Sequence, residues 1–335
     1  MKLRFITALM MVVLLVSRAG AQASEPVKIV TTTTQATDLV TILLGELVGT
    51  EVQLTALLGA GVDPHLYKPT ESDIAAMGEA DAIFYSGLHL EGQFDTVFNA
   101  LRERGVVTYA ISTPVKEQGF TFGGFTLSAE LVDVDDPHFW FDPRNWELAT
   151  AGTANALIEL LPQHAQSISL NAEAYITDLQ TLYIWAVEAM SIVPEDQRVL
   201  ITSHDAFNYF GDALGWEVRG LQGLSTEDEA GVADIQSVAA FVNERGIPVM
   251  FVESSVPPDA IEAVRESVTA GGGEVNIAPR HLFSDAMGAP GDFGGTYIGM
   301  LAENVAVIVV SFGYELPGWP DGLLPELPQE LLTLE

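Results

Sequence analysis

The 335-residue sequence contains no cysteine. Disulfides, thiolate metal sites and a cysteine-linked lipid are excluded together, so any metal bound here must be held by nitrogen and oxygen. Cationic side chains are scarce as well: 14 Lys and Arg stand against 46 Asp and Glu, for a formal charge of −32. A surface of that sign repels nucleic acid and anionic lipid, and neither is expected as a partner. The acidity is not that of a disordered chain, because 48% of the residues are hydrophobic and can build substantial cores. Beyond the first two dozen residues, no apolar run approaches the roughly 20 residues that span a bilayer.

The start of the chain has its own pattern. Lys2 and Arg4 precede an apolar run from Phe5 to Val16, and Ala21-Gln22-Ala23 supplies small residues for cleavage. This is the grammar of a secretory leader, and the run is too short for an anchor. Residues 1–23 are therefore expected to be a cleaved signal peptide, releasing a periplasmic or secreted soluble protein with no lipid-accepting cysteine. Losing Lys2, Arg4 and Arg18 makes the remainder more acidic still. That remainder exceeds roughly 250–300 residues, the size at which one hydrophobic core usually divides, so two lobes are expected.

From Val27 onward, short β-branched runs alternate with amphipathic helical stretches. Strands are expected at Val27–Thr33, Val52–Leu58, Asp81–Tyr85 and Val106–Ile111, with helices at Thr37–Val48, Glu71–Gly78 and Phe94–Arg104. The rhythm restarts after Pro194, with strands at Arg198–Thr202, Glu217–Gly220, Val249–Val252 and Glu274–Ile277. Helices are expected there near Ala206–Leu214, Ile235–Arg245, Pro258–Thr269 and Tyr297–Val310. Such alternation implies an α/β fold: two lobes, each a mostly parallel sheet flanked by helices. Between them, Ser167–Ile192 lacks Gly and Pro and spaces Leu170, Ala174, Leu179, Leu182, Ala186 and Met190 helically, predicting one long connecting helix. The expected division is thus 24–166, 167–192 and 193–335. Lys116–Asp136 reads as a loop, and the proline-rich tail after Gly313 as loosely ordered.

Three of the six histidines sit where ligands collect in open α/β sheets, beyond the carboxyl ends of strands. His65 ends Asp63-Pro64-His65, His138 ends Asp136-Pro137-His138 and lies between a loop and a helix, and His204 follows the strand ending at Thr202. One histidine in such a place is more often a turn or capping residue than a ligand. The repeated Asp-Pro-His tripeptide favours binding, since proline fixes the backbone before the imidazole and limits the entropy lost on binding.

Six ordered blocks resemble the zinc- and manganese-binding solute receptors of bacterial ABC importers, also called the cluster A-I or cluster 9 family. They are Gly61–Tyr67, Gly87–Glu91, Asp136–Asp142, Ser203–Phe210, Phe251–Pro258 and Leu282–Gly288. The resemblance spans nearly the whole mature chain. It implies a metal site at His65, His138, His204 and Asp285, placed where the lobes meet, with a single long helix joining them. It also implies a receptor that carries Zn2+ or Mn2+ to a membrane permease, acts as a monomer and catalyses nothing. Three imidazoles and a carboxylate suit zinc, and added carboxylate oxygen suits manganese.

The other candidates read differently. His89 is structural, His164 solvated, and His281 a neighbour of Asp285 rather than a ligand. Glu253 is expected behind an imidazole or Arg219. Lys116–Asp136 lacks the histidines of the long loop found in many zinc-dedicated members. Two alternatives remain: an exported zinc hydrolase using the same histidines, which would need an open coordination position, and a surface adhesin, which the missing cysteine disfavours. Ser203-His204-Asp205 is no catalytic triad, because adjacent side chains cannot converge in a relay.

Overall fold

The computed structural model describes residues 25–129 and 131–333; the leader expected at 1–23 lies outside them. The first half contains β1 (Val27–Thr31), α1 (Thr34–Leu44), β2 (Val52–Ala56), α2 (Glu71–Gly78), β3 (Ala82–Tyr85), α3 (Asp95–Glu103) and β4 (Val107–Ala110). Its four strands are parallel in the order β2-β1-β3-β4. Then come α4 (Thr113–Glu117), β5 (Phe125–Thr126), β6 (Val132–Val134), α5 (Pro143–Leu160) and α6 (Ala165–Ser191).

The second half runs β7 (Val199–Thr202), α7 (Asn208–Leu214), β8 (Glu217–Gly220), α8 (Val232–Arg245), β9 (Val249–Met250), α9 (Asp259–Ala270), β10 (Asn276–Ile277) and α10 (Tyr297–Ser311). β7 pairs with β8 and β9 with β10, both in parallel. Phe251 donates its backbone N–H to the Ile201 carbonyl at 2.9 Å, bringing the two pairs edge to edge. The resulting order, β8-β7-β9-β10, repeats that of the first lobe. The architecture is the expected two-lobed α/β fold with one long helix between the halves.

Helix limits follow from caps. Thr33 accepts from the Ala36 N–H to start α1, and Asp142 accepts from the Arg144 N–H ahead of Pro143 to start α5. α5, at 18 residues, is the helix expected after His138. α6 runs for 27 residues, a length of about 40 Å. Its buried stripe is Ile168, Ala172, Tyr175, Leu179, Leu182, Ala186 and Ala189. The expectation placed Leu170 and Ala174 on that face, but both are exposed, because two residues on from Ile168 a 3.6-residue period points away from the core.

Two further expectations change. Lys116–Asp136 is not all loop: β5 and β6 form an antiparallel pair, too short to show a period in sequence. The tail is anchored to the core. Leu323 and Leu331 are buried, and the Trp319 ring meets Trp185 of α6 edge-on at 4.7 Å.

The largest hydrophobic cluster runs through both halves, joining Leu39, Trp146, Leu179, Phe207, Phe251 and Leu301, while smaller ones lie around Phe98 in the first half and Val264 in the second. Trp146 of α5 stacks on Tyr297 of α10 at 4.8 Å with planes 10° apart. The lobes thus share their innermost packing.

Candidate metal centre

The two Asp-Pro-His tripeptides fold by the same local rule. Proline has no N–H, and the aspartate carboxylate accepts the N–H of the histidine two residues on: 2.8 Å from His65 to Asp63 and 2.9 Å from His138 to Asp136. Beyond that they diverge. Asp136 Oδ1 also takes the His138 ring Nδ1–H at 2.8 Å, whereas the second oxygen of Asp63 accepts from the Thr226 hydroxyl across the cleft at 2.6 Å.

His204, just past β7, is held in the manner of His138 by a distant residue. Glu253 beyond β9 accepts the His204 backbone N–H at 2.8 Å with one oxygen and the ring Nδ1–H with the other. Glu253 therefore backs an imidazole, while Arg219 lies over the Phe241 ring instead. The turn carrying His204 passes against Gly220, where a Cβ would lie 2.4 Å from the Asp205 nitrogen, so no larger residue fits there without moving His204. Asp285 follows a bridge between Glu253 and Leu282.

A carboxylate on Nδ1 fixes the tautomer of His138 and His204 and directs each Nε2 inward. The two Nε2 atoms face one another at 3.3 Å. Asp285 Oδ1 lies 3.2 Å from His138 Nε2 and 4.0 Å from His65 Nε2, and Oδ2 lies 3.4 Å from His204 Nε2. One donor atom from each of the four residues falls within 4.8 Å of all the others, and none of the four side chains is more than 4% exposed. His65 Nε2 and Asp285 Oδ1 are buried with no aligned hydrogen-bond partner. Orphaned buried polar atoms are costly, and two of them converging beside two imidazole nitrogens that face each other mark a place for a cation.

Electrostatics separate the imidazoles. Burial pulls His65 down to about 3, overriding Asp285. For His138, burial acts the same way but is outweighed by Asp136 and Asp285, which push the ring up to about 9. His204 is raised well above its ordinary value: burial is overcome by Asp285 and Glu253. Asp285 is held well below the carboxylate range, its burial overcome by the rings of His204, His138 and His65.

The remaining histidines lie outside the cluster. His89 pairs with Asp95 at 2.8 Å, and His281 is exposed. His164, expected to be solvated, pairs with Glu51 at 2.8 Å. Ser203-His204-Asp205 forms no relay, since His204 Nδ1 is taken by Glu253.

Sequence reasoning overlooked the residues that tie the lobes together behind the site. Asn208 and Tyr209 of α7 reach Asp136, Asn208 Nδ2 to its carboxylate at 3.1 Å and Tyr209 OH to its carbonyl at 2.9 Å. Gln35 of α1 reaches the carbonyls of Ser284 and Asp285. Their signal was faint: single amides and a phenol in short helices that carry other polar side chains as well.

Comparison with known proteins agrees with this geometry. The family described as zinc-uptake complex component A, periplasmic, matches residues 29–311, a span that includes all four cluster residues. The zinc-binding protein TroA of Treponema pallidum is 42% identical over 262 residues, 78% of this chain and 82% of that protein. The manganese-binding lipoprotein MntA of Bacillus subtilis is 38% identical over 290 residues, 87% of this chain and 91% of the other. A solved structure of the Treponema pallidum periplasmic zinc-binding protein superposes with a TM-score of 0.78 at 39% identity, covering 85% of this chain and 99% of that one.

Proposed function

The chain belongs to the periplasmic zinc-uptake component A family, and from that membership we propose that it is the exported receptor of a metal ABC importer. It binds one Zn2+ or Mn2+ between the lobes through His65, His138, His204 and Asp285 and delivers it to a membrane permease. The ion is cargo. The relatives point both ways on its identity, one named for zinc and the other for manganese. Export by a cleaved leader at 1–23, a soluble monomer and a division at 24–166, 167–192 and 193–335 are parts of the same proposal.

The observation that carries this reading is the convergence of three imidazole nitrogens and a carboxylate in a buried cluster, with two of the rings oriented from behind by carboxylates. Such a site captures an ion by replacing its water shell. Hydrolysis would require an open coordination position reachable by a substrate, and side chains this buried leave room for an ion rather than for an ester or peptide.

Metal analysis of the mature protein purified without chelator tests the proposal, followed by uptake of radioactive zinc and manganese in cells carrying or lacking the gene. One ion per chain and gene-dependent uptake are expected. Metal-free protein that takes up neither ion, or turnover of ester or peptide substrates, would refute it.

A further inference from the structure

Gln35, the second residue of α1, is only 1% exposed although it is an amide in the first turn of a helix. Its Nε2 donates to the carbonyls of Ser284 and Asp285, at 3.3 and 3.1 Å, and its Oε1 accepts from the Thr34 hydroxyl at 3.0 Å. Two carbonyl acceptors can be met only by the NH2 side of the amide, so its direction is fixed. Thr34 adds a third link to the same loop, accepting the Met287 N–H at 2.9 Å. The loop bearing Asp285 is thus fastened to the first turn of the first lobe's leading helix.

On its other side the loop is held by the second lobe. The Ser255 hydroxyl lies 3.3 Å from Asp285 Oδ2 and 2.9 Å from Ser284 Oγ. Between these supports the carboxylate presents both oxygens to the cluster, Oδ1 toward His138 and Oδ2 toward His204. Three nitrogens and two oxygens make five donors. Zinc is satisfied by four, while manganese favours more oxygen and a higher coordination number.

Resting on the receptor reading above, we propose that Gln35 is a positioning residue that holds Asp285 with both oxygens toward the ion and thereby supports manganese more than zinc. Leucine, of similar size, would leave two buried carbonyls unpaired and free the loop to turn one oxygen away. Asparagine keeps an amide but withdraws it by one methylene.

The test measures zinc and manganese affinities of the mature wild type, Gln35→Leu and Gln35→Asn by competition with a chelator, alongside the Tm of each metal-free protein. The manganese Kd is expected to rise about 10–100-fold, the usual effect of losing a supporting group behind a ligand, and the zinc Kd by a clearly smaller factor. The Asn variant carries the test if the Leu variant does not fold. Equal losses for both ions, or no loss, in a folded variant would overturn the role of Gln35 while leaving the receptor reading intact. A wild type that binds neither ion would overturn both.

Discussion

His138 and His204 point their Nε2 atoms at each other across 3.3 Å, one ring from each half of the chain. Each has its Nδ1–H committed to a buried carboxylate, so two neutral rings would oppose lone pairs there. A proton or a metal ion relieves that opposition, and the two compete for the same few ångströms.

The first expectation follows from this competition. In the metal-free protein His138 holds its proton up to about 9, so metal must displace it throughout the neutral range. The ordinary histidine value of about 6.5 would have metal affinity level off above neutrality. Instead, affinity is expected to climb with pH through 7 and 8 toward about 9, with protons released on binding. Isothermal titration in buffers of different ionisation enthalpy reads the proton count directly, and an affinity flat from pH 7 to 8.5 would contradict it. The same raised value stabilises the metal-free fold below the unfolded value of about 6.5, a contribution lost as pH rises through about 9.

Replacing His65 and His138 should separate ligand from scaffold. A structural zinc site is worth ~10–16 kcal/mol over four ligands, so either His→Ala change should weaken binding by about 100-fold or more. Their effects on the metal-free fold should differ. His65 Nε2 has no partner to lose, whereas His138→Ala takes the ring Nδ1–H from the buried Asp136 carboxylate, leaving it the backbone N–H and Asn208, and should lower the Tm more. Native mass spectrometry and thermal melts check the two halves of this statement; unchanged metal occupancy in both variants would defeat it.

Zinc should bind more tightly than manganese in vitro, because three imidazoles favour zinc. Exchanging His204 for Glu should narrow the gap, but the structure adds a condition. Glu253 and Asp285 both face His204, so a carboxylate there would meet two others. His204→Glu should therefore bind both ions poorly, and the double change His204→Glu with Glu253→Gln should recover manganese more than zinc. Chelator competition with all three proteins and both ions checks the order; a double variant with the wild-type ratio would count against it.

Asp38 offers a test outside the centre. Burial raises its pKa from 3.8 to about 6, while it accepts the Tyr297 N–H at the start of α10 at 2.9 Å. A carboxyl raised in this way favours folding fully below the unfolded value, and that contribution is lost as pH rises through about 6. Asp38→Asn keeps the acceptor without the charge. It should be more stable than wild type above pH 6, by up to ~3 kcal/mol for a shift of about two units, with no advantage below pH 4. Urea unfolding at pH 4 and 8 measures the difference.

The sequence foretold the parallel strands, the long helix and the places of His65 and His204 beyond parallel strands because these depend on local period and on βα order; His138, expected in the same kind of place, follows β6 of the antiparallel pair instead. α2 and β8 have the limits expected of them. The stripe on α6 was misjudged at Leu170 and Ala174 because in an apolar helix composition hides the phase, which only the packing partners fix. The supports of the site were least legible. Glu253 lies 49 residues from His204, and Gln35 lies 250 from Asp285, so no local pattern links either pair. In Asp136-Pro137-His138 only the stiffening by proline was legible, although the Asp136 carboxylate orients the ring two residues on.

Anomalous diffraction from crystals of the mature protein, collected on both sides of the zinc absorption edge, tests the assignment of the centre most directly. The result expected is one zinc peak per chain, within about 2.0–2.2 Å of Nε2 of His65, His138 and His204 and of the Asp285 carboxylate. A peak anywhere else, or one that persists at this position in the His65→Ala and His138→Ala proteins, would contradict it.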